Sequence, residues 1–173
     1  MINFYQGLAG NMELIVVRNK IMRFIACLVI CQGAGLLGSI FTIPEIGGWY
    51  AQLVKPSFAP PNWLFGPVWT MLFIMMAVAL YIIWSSRSDN GKGAAFATFA
   101  VQLLLNVAWS AVFFGGHMIL GGFLVIIALE IMIALTIYRF MIVSPLAALL
   151  MVPYLCWVTF AGVLNFYYWR LNV

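Results

Sequence analysis

The sequence predicts an all-α membrane protein, a bundle of five transmembrane helices, on three observations. Of 173 residues, 66% are hydrophobic and 7% charged, and the mean hydropathy is +1.10, more apolar than soluble domains of this size. Apolar runs at 22–43, 66–84, 94–115, 119–142 and 145–169 each approach the roughly 20 residues that cross a hydrocarbon core. The charges lie at the ends of these runs rather than in one patch. A net charge of +4 therefore reads as topology and lipid headgroups, not as nucleic-acid binding. The runs use nearly all of 22–173, which reads as one polytopic domain with no room for a soluble catalytic module. Residues 1–21 read as an N-terminal extension expected to be flexible.

Orientation follows from the lysines and arginines. Arg18, Lys20, Arg23, Arg87, Lys92 and Arg139 share one side, and Lys55 and Arg170 take the other. The excess belongs inside, so the N-terminus is expected to be cytoplasmic, in a bacterial cell membrane.

The first run follows a basic start like a signal peptide, but it is too long for an apolar h-region and no A-x-A site follows. Within it, Gly33 to Gly38 matches G-x-G-x-x-G. No strand precedes it, so the glycines read as close helix contacts and not as a dinucleotide loop. Cys27 and Cys31 are one turn apart, and Cys156 lies in the fifth run. With no further ligands nearby in sequence they read as small apolar core residues, and no metal site is expected.

Between the first two runs lies WYAQLVKPSFAPPNWLFGPVW, Trp49 to Trp69, with Pro56, Pro60, Pro61 and Pro67. Proline fixes φ and removes a donor, so this segment reads as a semi-rigid cap, with Pro67 suited to the first turn of the second helix. The linker SSRSDNGKG is a solvated turn. The third run carries Gln102, Asn106 and Ser110 at four-residue steps. Amides are costly in hydrocarbon and should point into the bundle, for interhelical hydrogen bonds or for a ligand. His117, in the turn to the fourth run, reads as solvated. Glu130 sits mid-run, where a carboxylate costs about 2.5–3.5 kcal/mol. It should be neutralised or paired, in a structural or dimer contact or a proton relay.

Ser144-Pro145 supplies an N-cap and an N1 proline for the fifth helix, and Pro153 removes a hydrogen bond within it. Tyr154, Trp157, Ala161, Leu164 and Tyr168 then share one face, aromatic at both ends and small in the middle. That pattern makes either a slot or a helix contact. No motif of hydrolytic or metal chemistry is present. Trp49, Trp63, Trp69, Trp109 and Trp157 gather in or near the loop-side half. Apolar walls with several indoles suit a flat hydrophobic ligand, and Lys55 in the cap could meet an acidic group on it. A tetrapyrrole with propionates has both features, as do other planar molecules.

KPSFAPPNWLFGPVWTMLF (55–73), QLLLNVAWSAVFFG (102–115) and SPLAALLMVPYLCWVTFAGVLN (144–165) resemble the TspO/MBR family, in order and spacing, across all five runs. The resemblance implies a five-helix bundle, commonly dimeric, with a pocket under the first loop. Family ligands include porphyrins, haem, sterols and benzodiazepine-site drugs. Carried over by position, it implies ligand contacts at Trp49, Phe65, Gly66, Val68, Trp69, Asn106, Trp109, Trp157, Ala161 and Leu164. Two departures stand out. Phe58 occupies a position where many members have Trp, and Ser110-Ala111 replaces a proline pair found in some animal members. The leading expectation is an integral membrane tetrapyrrole-binding protein for transport, sensing or regulation. It needs no cofactor, takes porphyrin or haem as ligand, and forms a homodimer in the lipid bilayer. Light-dependent oxidative porphyrin breakdown, with Trp69 and Trp157 orienting the ligand or exchanging electrons, is the enzymatic alternative. A structural or regulatory bundle, or a sterol binder, is the third.

Overall fold

The computed structural model describes the backbone of residues 2–173 and the side chains of residues 17–173. Much of the expected N-terminal extension, 1–21, lies outside the described side chains. The chain forms α1 (Ile2–Ile46), α2 (Trp49–Gln52), a 3-10 turn (Asn62–Leu64), α3 (Phe65–Ser85) and α4 (Lys92–Ser110). A π-helical turn (Ala111–Gly115), α5 (Ile119–Val143) and α6 (Pro145–Leu171) complete it. Among the described residues, five helical stretches are long and apolar enough to cross a membrane: Val17–Ile46, Asn62–Ser85, Lys92–Gly115, Ile119–Val143 and Pro145–Leu171. The chain is thus a multi-pass integral membrane protein.

Local chemistry sets the element ends. Gly91, at φ 77°, opens α4, a left-handed conformation that a Cβ would oppose. Ser144 caps α6 by accepting from the Ala147 N–H at 3.5 Å, with Pro145 in the first turn. Pro153 lies inside α6.

Helices α4, α5 and α6 pack in sequence order, while α1 lies against α3 and α4, and α3 also meets α6. Small residues bring backbones together where no hydrophobic effect drives association. A Cβ on Gly35 would lie 2.5 Å from the Phe73 ring, and one on Gly38 3.1 Å from Ser110 Oγ. Those two glycines of the G-x-G-x-x-G match are therefore contact points for α3 and α4. Away from the cap, the core is aliphatic and tight. Ala77, Ala79, Ala147 and Ala148 are fully buried with Met76, Ile83 and Ile133, and Phe99 stacks on Phe140 at 5.8 Å.

The polar residues of α4 point inward. Asn106 donates to the Tyr154 hydroxyl at 3.0 Å. The Gln102 amide nitrogen lies 4.0 Å from Met76 Sδ, and its carbonyl oxygen has no partner among the described residues. Glu130 takes the expected polar partner: the Thr159 hydroxyl of α6 donates to it.

Candidate binding pocket

The first loop folds back over the bundle because its prolines forbid a continuous helix between α1 and α3. Helix α2 brings Tyr50 inward, where its hydroxyl lies 2.7 Å from that of Tyr168 on α6. Burial, and secondarily the bond to Tyr168, push the Tyr50 hydroxyl pKa above its ordinary value. Beyond α2, Val54 N–H donates to Asn172 Oδ1 at 2.8 Å, and Asn172 Nδ2 returns a bond to the Val54 carbonyl at 3.1 Å. The cap is thereby stapled to the C-terminal end of α6. Lys55 Nζ sits 5.1 Å over the Tyr50 ring, on the exposed side of the cap and not in the cavity wall.

Beneath the cap is a cavity of about 450 Å³, within the range of small-molecule sites. The π-helical turn builds much of its end wall. One extra residue per turn lets consecutive Phe113 and Phe114 both face inward, buried against Tyr50, Leu164 and Tyr168. Such turns recur at functional sites. Phe113 stacks on Trp109, with ring centroids 5.5 Å apart and planes at 18°. The Trp109 indole N–H donates to Asn165 Oδ1 at 3.1 Å, and Asn165 Nδ2 donates to the Ile119 carbonyl at 2.9 Å. That chain fixes one indole plane at the cavity wall. Trp69 supplies another, 5.7 Å from Phe73 and 6.1 Å from Tyr154.

Seven of the ten expected positions line this cavity: Phe65, Gly66, Trp69, Asn106, Trp109, Ala161 and Leu164. Trp49, Val68 and Trp157 stand outside the wall. Trp157 packs edge-on behind Phe65 at 5.7 Å, and its indole N–H has no partner among the described residues. Val68 packs against the aliphatic core. Trp49 stacks on His117, centroids 4.5 Å apart and planes at 11°. His117 is exposed, as expected, and lies with Nε2 3.0 Å from Glu45 Oε2, and Glu45 also accepts from the Trp49 backbone N–H at 3.4 Å. The left-handed backbone of His117, φ 54°, aims its ring back at the end of α1.

The ligand contacts carried over by position did not include Tyr50, Phe73, Ser110, Phe113, Phe114, Asn165 or Tyr168, and all line the cavity. Ser110 and Tyr168 carried a signal in their spacing from Asn106 and Leu164. Tyr50 and Phe73 carried none, since their positions depend on how the cap folds and where α1 crosses α3. Among the described residues, no group of three or more His, Cys, Asp and Glu side chains could hold a metal ion. His117, the chain's one histidine, does not line the cavity. The wall thus offers aromatic faces, apolar side chains and a few neutral polar atoms.

The pattern of the TspO/MBR family matches residues 27–170. The chain is 46% identical to tryptophan-rich protein TspO of Chlorobaculum tepidum, over 88% of this chain and 98% of that one. It is 41% identical to protein CrtK of Rhodobacter capsulatus, over 86% and 92%. It is 38% identical to the translocator protein of Bos taurus, over 80% and 83%.

Proposed function

The chain belongs to the TspO/MBR family, and from that premise we propose that it is a membrane binding protein for tetrapyrroles, porphyrin or haem, acting in their transport, sensing or regulation. The observation that carries the reading is the wall of the cavity. Trp69 and Trp109 present indole planes among Phe65, Phe73 and Phe113, and Asn106 and Ser110 add neutral polar atoms. A flat macrocycle buries both faces against such rings, and the rings prefer offset or edge contacts with it. The relatives named for translocation support a role in moving a ligand. The protein acts as a homodimer in this reading, with its N-terminus cytoplasmic and the cap on the outer face of a bacterial cell membrane.

Photo-oxidative breakdown of the bound porphyrin is the second reading, supported by the Trp69 indole in the cavity wall. Of the two tryptophans that reading invokes, Trp157 stands one layer behind, across Phe65.

Protoporphyrin titration into the purified protein, in the dark and then under illumination in air, tests both readings. Saturable tryptophan quenching with a stable porphyrin band is the result expected of a binder. Saturable quenching followed by protein-dependent loss of the band, abolished by Trp69→Phe, would move the conclusion to the enzymatic reading. Quenching that never saturates would remove tetrapyrroles as the ligand.

A further inference from the structure

The cavity is shut by the cap and open on one side. At the aqueous end the cap is held by the Tyr50–Tyr168 bond and the reciprocal Val54–Asn172 pair. Laterally, α1 packs on α3, and the cavity reaches between them on the cap side. The contact is at Gly35 against Phe73 and at Gln32, whose Nε2 donates to the Thr70 carbonyl at 3.2 Å. From there toward the cap, the cavity is bordered by Leu36 and Ile43 of α1, and by Gly66 of α3 and Trp63 of the turn before it. Leu36 is 68% exposed, Ile43 67% and Trp63 72%. All four lie in stretches of membrane-crossing length and hydropathy. Exposed apolar side chains in such stretches suit contact with lipid, which makes this border the candidate mouth between the cavity and the bilayer.

We propose that ligand enters and leaves this cavity sideways, from the bilayer, through the mouth between α1 and α3, with the cap remaining shut. The inference rests on the cavity being the ligand site. It narrows the ligand to planar amphiphiles that partition into the membrane. Polar groups would face inward to Asn106 Oδ1 and Ser110 Oγ, neither of which has a hydrogen-bond donor from the described protein, and an apolar edge would remain at Leu36 and Ile43. A strongly hydrophilic solute would have no path through hydrocarbon to this opening. The Gln32–Thr70 bond marks the lower corner of the mouth and limits how far it can part.

The test uses two crosslinks in the full chain, reconstituted in lipid with exposed Cys156 replaced by serine. Ser39→Cys with Gly66→Cys, joined by a reducible bifunctional thiol reagent, bridges the mouth. Val54→Cys with Asn172→Cys locks the cap. Protoporphyrin preloaded into vesicles is mixed with each form, and tryptophan quenching gives association and dissociation rates. The mouth crosslink is expected to slow both rates at least about tenfold, with recovery on reduction, while the cap crosslink leaves them within about twofold. Recovery on reduction distinguishes a blocked path from a misfolded variant. A second probe, Gly66→Trp, places a large side chain where a Cβ meets nothing within 4 Å, and should slow both rates without any crosslink. Saturable binding with rates untouched by the mouth crosslink, or slowed by the cap crosslink instead, would overturn the lateral route alone. Absence of saturable binding in the uncrosslinked protein would overturn the tetrapyrrole site and the route with it.

Discussion

The two ends of the bundle are built from different materials. At the end away from the cap, closed by tight packing, helices meet through alanines and aliphatic side chains, with Ala77, Ala79, Ala147 and Ala148 fully buried. Under the cap they meet through Tyr50, Phe113, Phe114 and Tyr168, and those rings line the cavity. Alanine permits close backbone approach, so the first half gains dispersion contacts along whole helix faces. Large rigid rings, two of them joined by the Tyr50–Tyr168 hydrogen bond, resist collapse into a gap, so the second half keeps its cavity. On the proposed reading, fold stability and ligand recognition fall to opposite ends of the same helices.

The largest expected effect comes from exchanging the two ends' tolerance for bulk. Ala148→Phe should overpack the closed end and cost about 1–3 kcal/mol or more, read as a lowered midpoint of thermal unfolding in detergent, with porphyrin affinity retained where the protein still folds. Ala161→Phe, in the cavity wall, should do the reverse, leaving the midpoint nearly unchanged and weakening porphyrin binding by at least about tenfold, since filled space no longer accepts a ring. Equal destabilisation by both would erase the distinction.

Asn165→Leu should come next. It strands the Trp109 indole N–H and the Ile119 carbonyl, at a cost of about 1–2 kcal/mol, and frees one wall of the cavity. Thermal unfolding and titration should both report it, whereas a substitution at the closed end moves only the first.

Aromatic contacts sharpen the comparison within the cavity end. Trp69→Phe should weaken porphyrin binding by about 0.5–1.5 kcal/mol, up to roughly tenfold. Trp157→Phe should change it by less than about twofold, since that indole packs on Phe65 and does not line the cavity. Matched losses in the two titrations would bring Trp157 into direct contact with the ligand.

The smallest expected effect is a pH dependence confined to the cap. Tyr50 ordinarily releases its proton near pH 10.0, and in the folded chain it holds it to higher pH. The stabilisation linked to this proton is fully present below pH 10.0 and declines as pH rises beyond it. The unfolding midpoint should therefore fall across alkaline pH, and Tyr50→Phe should flatten that fall. An identical slope in the variant would mean that Tyr50 contributes nothing to it.

The closed end was largely legible in the sequence, because membrane helices announce themselves by length and apolarity. Gln102, Asn106 and Glu130 were also readable as inward or paired, since hydrocarbon leaves polar groups few alternatives. The cavity end was legible only where residues share a helix face, as Ala161, Leu164 and Tyr168 do. The inward turn of Phe114 depends on a π-helical step with no spacing signature. The stack of His117 on Trp49 depends on a left-handed backbone at a non-glycine residue. Trp157 shares a face with Ala161, yet it packs edge-on against Phe65 from α3 and does not line the cavity. Contacts contributed by a second helix are what a single helix face cannot disclose.

The central claim is that the space under the cap is a binding site for a planar tetrapyrrole. It is tested most directly by titrating protoporphyrin into lipid-reconstituted wild-type and Ala161→Phe proteins side by side, with thermal unfolding of each as control. Saturable tryptophan quenching in the wild type, lost in a variant that unfolds at nearly the same temperature, is the expected result. Equal saturable quenching in both folded proteins would place the ligand elsewhere and contradict the account.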